Sequence, residues 1–168
     1  MIMKKLMVIA SCAVLLMAAG CKDKNTPEAE SLVGSVATPS WQAPESYDMT
    51  TSMTAIVKID FTQSFSAEQL EAVKDKMTDG QIVHEGDLLA AFSGENCLGV
   101  DTIHADQAGL FFLYMTGSSE ENPANVQLRY YSTQLSNIFT AKESFVFSND
   151  GHLGSVSEPY TPAWSIAK

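Results

Sequence analysis

Basic residues are scarce in this chain. Its 168 residues contain 10 Lys and Arg against 20 Asp and Glu, a formal net charge of −10, and Arg129 is the single arginine. A nucleic-acid-binding protein needs a basic patch that neutralises phosphates, and no basic stripe runs along this sequence. The composition therefore argues against a nucleic-acid partner and predicts repulsion from anionic lipid headgroups.

Long apolar runs are also missing. The longest, Leu6 to Ala19, is about fourteen residues, whereas a membrane-spanning helix takes about 20. The other apolar residues fall in runs of about four to eight, rich in Val, Ile, Phe and Tyr, a length and composition typical of β-strands. The sequence predicts strands and no transmembrane helix.

The first 20 residues have the pattern of a signal peptide, with Lys4 and Lys5 before the apolar stretch 6–19. The last three of them and the next residue, Ala18-Ala19-Gly20-Cys21, resemble the bacterial lipobox, where cleavage precedes the cysteine and its thiol receives diacylglycerol. The alternative is ordinary secretory cleavage beside a coincidental cysteine. We predict lipid attachment at Cys21 from this pattern. Two or more acyl chains there would hold the protein firmly on a membrane without a spanning helix.

The three cysteines leave no room for a disulfide framework. Cys12 departs with the leader and Cys21 carries lipid, so Cys97 has no intramolecular partner.

The stretch Lys22-Asp23-Lys24 resembles part of the export signal that sends lipoproteins of the Bacteroidetes to the cell surface. We therefore expect a lipid-anchored outer-membrane location, on either the periplasmic side or the cell surface.

Three regions follow from this reading: a signal peptide over 1–20, a lipidated N-terminus and flexible tether over 21–40, and a single β-sandwich domain over 41–168. The tether is dominated by small, polar and charged residues and has too few large apolar side chains to fold. The remaining residues suffice for one domain with its own core.

Alternation of apolar and polar residues predicts the strands of this domain. It is clearest in 49–61, where Met53, Ala55, Val57 and Ile59 share one face. Further strands are expected at 87–93, 97–103, 110–116, 125–132 and 143–148, separated by Gly-, Asn- and Asp-rich turns. The pattern favours an all-β, mainly antiparallel sandwich, immunoglobulin-like or jelly-roll-like.

One short α-helix is expected in addition. Ser66 and Gln69 form a capping box at its start, Leu70, Val73 and Met77 share a face, and Gly80 can end it. We expect this inserted helix to cover an edge of the sandwich.

Several segments resemble a domain of uncharacterised secreted and lipoprotein chains of the Bacteroidetes. They are Trp41, residues 53–60, 87–100, 109–114 and 128–131, Phe147, and residues 149–154. The most specific segment is Asp87 to Val100, with an acid, an apolar strand, a Gly turn and Cys-x-Gly in that order. The resemblance implies a β-sandwich in a cell-envelope setting and supplies no catalytic residue.

Reactive side chains are present without a complete catalytic set. Cys97 could act with His84, His104 or His152 as base, although a small buried thiol is the commoner role. Carboxylates at Glu85, Asp87 and Glu95 could hydrolyse glycosides, but acids at strand ends are usually solvated turn residues. His84, Glu85 and Asp87, or the turn Asn149-Asp150-Gly151, offer too few ligands for a metal. We predict a protein that is not an enzyme and has no cofactor and no metal.

Aromatic residues near strand ends and chain ends are the remaining indication of function, because flat rings stack on sugars or pack against partners. The predicted ligand-binding residues are Trp41, Tyr131 and Trp164, although both tryptophans could instead close the core. Tyr130 and Tyr131 point to opposite faces of a strand, so one of them is expected to be exposed or at an edge. Trp164 follows Pro159 and Pro162, which places it on an edge segment, and we expect it to be exposed.

The leading function is therefore a non-catalytic binding module of the outer membrane that takes a glycan, a peptide or a neighbouring protein through strand-end loops. The alternative is a structural or accessory subunit of an outer-membrane or surface complex. An unrecognised hydrolase is a third reading.

Overall fold

The computed structural model describes residues 30–45, 51–77, 82–104, 107, 109–117 and 125–168, and these form an all-β sandwich with one short α-helix. The predicted fold class is confirmed. The signal peptide and Cys21 lie outside the described residues. The strands are β1 Ser52–Lys58, β2 Leu88–Ser93, β3 Asn96–Thr102, β4 Leu110–Thr116, β5 Val126–Ser132, β6 Asn137–Phe145, β7 Gly151–Leu153 and β8 Trp164–Ile166.

The strands form two sheets. One has three strands in the order β4-β1-β7, and the other has five in the order β3-β2-β5-β6-β8. Neighbouring strands are antiparallel except β1 and β7, which run parallel. As the alternation predicts, β1 buries Met53, Ala55 and Val57 between the sheets and turns Thr54, Ile56 and Lys58 away from the core.

The sheets also meet along their edge strands β3 and β4. The backbone N–H of Phe112 donates to Oδ2 of Asp101 at 2.7 Å, so a side chain satisfies a donor on the outer edge of β4. A Cβ atom at Gly99 would lie 2.0 Å from the carbonyl oxygen of Tyr114. Only glycine permits this approach, which closes one side of the sandwich.

Helix α1, Ala67–Glu71, begins at the predicted capping box. The N–H of Gln69 donates to Oγ of Ser66 at 3.2 Å, and the N–H of Ser66 donates to Oε1 of Gln69 at 3.0 Å. The helix is shorter than predicted because Val73, at φ −120°, leaves helical geometry before a 3-10 turn over Lys74–Lys76. Gly80, the predicted end, lies outside the described residues.

Residues 30–45, which we call the N-terminal strap, pass the β5–β6 turn and then contact the outer face of the five-stranded sheet through Val36, Thr38 and Trp41. The strap starts beside α1, where Nε2 of Gln69 donates to the carbonyl of Glu30 at 2.8 Å. It continues past the β5–β6 turn, where the N–H groups of Gly34 and Val36 donate to the carbonyls of Leu135 and Ser136 at 2.9 and 2.8 Å.

The strap therefore contacts the body well before Trp41, the predicted start of the domain. Leu32 is only 2% exposed and joins the core cluster, and Nδ2 of Asn137 donates to its carbonyl at 3.1 Å. Residues 30–40 were expected to belong to a flexible tether. Their packing rests on one apolar side chain and on backbone hydrogen bonds. The amino-acid composition of the segment does not reveal such hydrogen bonds, so it predicts a flexible tether.

Candidate binding surfaces on the outer sheet faces

Trp164 is not exposed, and the prediction that it is an exposed anchor is wrong. Its side chain is 0% exposed and packs on Tyr130, with ring centroids 6.0 Å apart. The segment does form an edge strand, β8, as the prolines predict. On that edge Trp164 points to the inner face, because its partner in β6 is the core residue Ala141. It closes the core and is unavailable to a ligand.

Tyr131 is also buried, although Tyr130 and Tyr131 do point to opposite faces. Tyr130 lies in the core at 0% exposure, and Tyr131, at 4%, lies under the strap. The Tyr131 hydroxyl donates to the carbonyl of Val36 at 3.4 Å and accepts from Oγ1 of Thr38 at 3.3 Å. The expectation that one of the two tyrosines is exposed or at an edge is therefore wrong, because the strap covers the outer face.

Trp41 is the one predicted aromatic that stays partly exposed. It packs edge to face on Phe92, with ring centroids 5.7 Å apart and an angle of 74° between the ring planes. Phe92 is 5% exposed and lies on the outer face of β2. Trp41 therefore packs against the sheet while part of its side chain stays at the surface.

Arg129 occupies the same part of that face. Its guanidinium carbon lies 4.2 Å from the centroid of the Phe92 ring, a cation–π contact. Its ion pair is with Glu95 in the β2–β3 turn, at 3.8 Å, and the Glu95 side chain is 93% exposed. Such an exposed pair beyond hydrogen-bond distance contributes little to stability.

The outer face of the three-stranded sheet carries a second group of aromatic and polar side chains, which we call the aromatic face. Phe112, midway along β4, is 45% exposed. It pairs across the sheet with Ile56, and Tyr114, two residues further along β4, pairs with Thr54. The members of the aromatic face are Thr54, Ile56, Lys58, Phe112, Tyr114 and His152.

Hydrogen-bonding groups border this apolar patch. Thr54 is also in register with His152 on β7, and Oγ1 of Thr54 lies 2.6 Å from Nδ1 of the imidazole. The row Tyr114, Thr54, His152 therefore crosses all three strands beside the row Phe112, Ile56. Sequence reasoning missed this surface. The signal was present in Phe111-Phe112, since adjacent strand residues point to opposite faces and only one can enter the core.

The candidate carboxylates do not form a catalytic pair. Asp87 is 0% exposed, which overturns the expectation of a solvated turn residue. Its Oδ2 accepts from the Tyr130 hydroxyl at 2.6 Å and the His84 N–H at 2.9 Å, while Oδ1 accepts from the N–H and hydroxyl of Thr133 at 2.8 and 2.7 Å. Glu85 and Glu95 are exposed. Asp87 is therefore fully occupied by structural donors.

Cys97 lies on β3 with its thiol against the carbonyl of Gly99 at 3.6 Å. Partial burial raises the pKa of the Cys97 thiol, and only the Gly99 hydrogen bond and the Arg129 charge oppose that effect. The imidazoles of His84 and His152 are engaged by Lys76 and Thr54 respectively. A raised pKa keeps the thiol protonated, the opposite of what a nucleophile needs.

Within the described ranges, no three His, Cys, Asp or Glu side chains come together as a metal site. At the Asn149 turn, Oδ1 of Asn149 accepts from the N–H of Ser52 at 3.0 Å, and Asp150 adopts a φ of 55°. The side chain of Asn149 thus bonds backbone in a turn that leads into β7.

No family model, no curated protein and no solved structure matches this chain. Among the residues that the structure describes, no helix has the length and apolar character needed to cross a membrane.

Proposed function

We propose that this chain is a lipid-anchored, non-catalytic module of the bacterial outer membrane that binds a glycan through the aromatic face. Lipid on Cys21 would hold the protein, and the sandwich would present the ligand-binding surface. The sequence pattern of residues 1–21 supports the anchor, and the exposed aromatic group supports the binding role.

The observation that carries the proposal is the exposure of Phe112. A phenylalanine at 45% exposure, in register with a partly exposed Ile56 and beside Tyr114, leaves a flat apolar patch in water. The C–H faces of a sugar ring can cover such a patch. Hydroxyl groups at the sugar's edge can then bond to Nε2 of the exposed His152, whose Nδ1 faces Oγ1 of Thr54.

This proposal moves the binding surface from strand-end loops to a sheet face. Of the three aromatic side chains expected to bind, Tyr131 and Trp164 are buried. The aromatic face instead rests on three paired strands, which hold its side chains at fixed spacing. Residues on a rigid sheet give a more precisely positioned site than residues on loops.

The test is the binding of neutral glycans by the Phe112→Ala protein on an array of cell-envelope and dietary polysaccharides. We expect loss of about 2 kcal/mol of binding free energy, roughly thirtyfold in affinity, as for an aromatic anchor. Val146→Ala is the matched control, because Val146 is 65% exposed and lies outside the aromatic face. Equal glycan binding by wild type and Phe112→Ala would contradict the proposal.

The anchor is tested separately with Cys21→Ser. We expect an unprocessed precursor or a protein released from membranes, because lipid is the only attachment that the sequence pattern supplies. Processed Cys21→Ser protein that still sediments with outer membranes would contradict lipid anchoring. Protease treatment of intact cells then distinguishes a surface location from a periplasmic one.

A second candidate, the accessory subunit, is favoured by the exposed edge at β7. This strand ends the three-stranded sheet, and Val156 just beyond it is 64% exposed. A partner protein could add a strand there. In that case Val156→Asp would abolish assembly with the partner, and Phe112→Ala would leave it intact.

A further inference from the structure

Arg129 has a guanidinium group that packs against the protein while most of its N–H donors lack a protein acceptor among the described residues. The side chain is 28% exposed, and its guanidinium carbon lies over the buried ring of Phe92, 4.2 Å from the centroid. Its only ionic partner within the described part of the chain is Glu95, at 3.8 Å. A guanidinium carries five N–H donors in a rigid fork, so most of these donors face water or a ligand.

A guanidinium held in this way is prepared for a carboxylate. The fork matches the two oxygens of a carboxylate, and the paired hydrogen bonds are among the strongest that a side chain makes with a ligand. The contact with Phe92 restricts the side chain before binding, which reduces the ordering cost of association. The competing Glu95 carboxylate is 93% exposed and free to move aside.

Trp41 supplies the second half of a site. Its ring and the Arg129 guanidinium both pack on Phe92, at 5.7 and 4.2 Å from that ring, so they lie within about 10 Å of each other. Trp41 is partly exposed. A ring-shaped ligand can stack on the indole while its charged group reaches the arginine.

We propose that Trp41, Phe92 and Arg129 form a second binding site, which takes a sugar bearing a carboxylate, such as a uronic acid at the end of a glycan. The site lies on the outer face of the five-stranded sheet and is distinct from the aromatic face on the other sheet. Arg129 would hold the carboxylate, Trp41 would stack on the sugar, and Phe92 would position both.

A monoanion fits this position better than a phosphate does. A phosphate monoester carries a charge of roughly −1.5 to −2 at neutral pH, and Glu95 and a chain of net charge −10 oppose a second negative charge beside a single arginine. A carboxylate is matched by Arg129 alone.

The experiment measures binding of glucuronic acid, of glucose as its neutral counterpart, and of inorganic phosphate to the purified mature chain, by titration followed with NMR. We expect glucuronic acid to bind and glucose and phosphate to bind more weakly. Arg129→Gln should weaken glucuronic acid binding by about tenfold or more, the loss expected for hydrogen bonds to a charged group. Lys58→Gln, which removes one positive charge from an exposed position on β1 in the other sheet, is the control and should have no effect.

Glu95→Gln gives the sharpest outcome. It removes the competing carboxylate from an exposed turn and should tighten glucuronic acid binding by a few-fold while leaving the fold intact. Arg129→Lys keeps the charge without the fork and should bind more weakly than wild type even if Arg129→Gln fails to fold.

The glucose comparison is made in the Phe112→Ala protein, so that a neutral sugar bound to the aromatic face does not contribute. The proposal fails if glucose binds that protein as well as glucuronic acid does, if phosphate binds best, or if Glu95→Gln weakens binding. Phe112→Ala should leave glucuronic acid binding unchanged. Failure of this site is therefore distinguishable from failure of the aromatic face.

Discussion

The hydroxyl of Tyr130 donates a hydrogen bond of 2.6 Å to Oδ2 of Asp87, and both side chains are 0% exposed. Asp87 precedes β2, and its other oxygen accepts from Thr133, just after β5. One buried carboxylate therefore joins the start of β2 to the core tyrosine and to the β5–β6 turn. The N-terminal strap contacts the same turn through Leu135 and Ser136.

Asp87→Asn tests this arrangement, because both carboxylate oxygens act only as acceptors for two donors each. An asparagine in either orientation points an NH2 group at two donors. We expect a loss of about 2–4 kcal/mol in the free energy of unfolding, from unsatisfied and opposed buried donors. Asp150→Asn in the exposed β6–β7 turn is the control, since asparagine tolerates its φ of 55°. Equal urea midpoints for the two variants would contradict the role of Asp87.

The fall in stability at alkaline pH tests the role of Tyr130, the hydrogen-bond partner of Asp87. Burial, and then the Asp87 charge, raise the pKa of Tyr130 well above its ordinary value. Below about pH 10 both folded and unfolded states keep the phenolic proton, so stability is complete. As the pH rises further, the unfolded chain loses the proton first, and the free energy of unfolding falls until the folded pKa is passed.

Tyr130→Phe should therefore be less stable than wild type at neutral pH but lose less stability between about pH 8 and pH 11. Tyr160, whose pKa burial and Glu143 also raise, is present in both proteins and cancels in the comparison. Urea denaturation at the two pH values gives the difference. Identical losses in wild type and variant would show that Tyr130 does not control the alkaline limit.

We predict that Trp164 contributes to the stability of the fold and not to ligand binding. Trp164→Ala should lower the free energy of unfolding by about 3–5 kcal/mol, since it opens a cavity in the core. Trp164→Phe should cost less, because the indole Nε1 is buried without a hydrogen-bond partner among the described residues and phenylalanine loses only volume. Trp41→Ala, at a partly exposed site, is the comparison and should cost less than Trp164→Ala. Guanidinium denaturation of the three variants checks this order.

The sandwich was predictable because its strands and helix are indicated by residues close together in the sequence. Alternation in β1 places Met53, Ala55 and Val57 in the core, and the Ser66–Gln69 capping box starts α1. The start of β6 at Asn137 was missed, because Ser136 makes the preceding turn at a φ of 46° without a glycine or proline. β7 was missed because it is three residues long and opens inside a turn signal.

The sites were less predictable because they depend on contacts between distant residues. Asp87 resembles a solvated strand end in the sequence, and its burial follows from donors at Tyr130 and Thr133. Trp41 and Arg129 meet only through Phe92. The residue pattern of a single segment does not predict a contact among three separate segments.

Gly34 attaches the N-terminal strap to the β5–β6 turn. A Cβ atom there would lie 2.8 Å from Cγ of Asn137 and 2.9 Å from the carbonyl oxygen of Ser136. Gly34→Ala should push the strap from the β5–β6 turn and break the hydrogen bonds that Gly34 and Val36 donate. We expect a loss of about 1–3 kcal/mol in the free energy of unfolding, typical of overpacking, and faster amide exchange in residues 30–41.

Ser35→Ala is the matched control, because Ser35 is the exposed neighbour and its change adds no bulk. Hydrogen exchange with mass spectrometry should show increased exchange in the strap for Gly34→Ala alone. Since the strap also carries Trp41 onto Phe92, its detachment should weaken glucuronic acid binding in parallel. Unchanged exchange in residues 30–41 would mean that the strap is not held at Gly34.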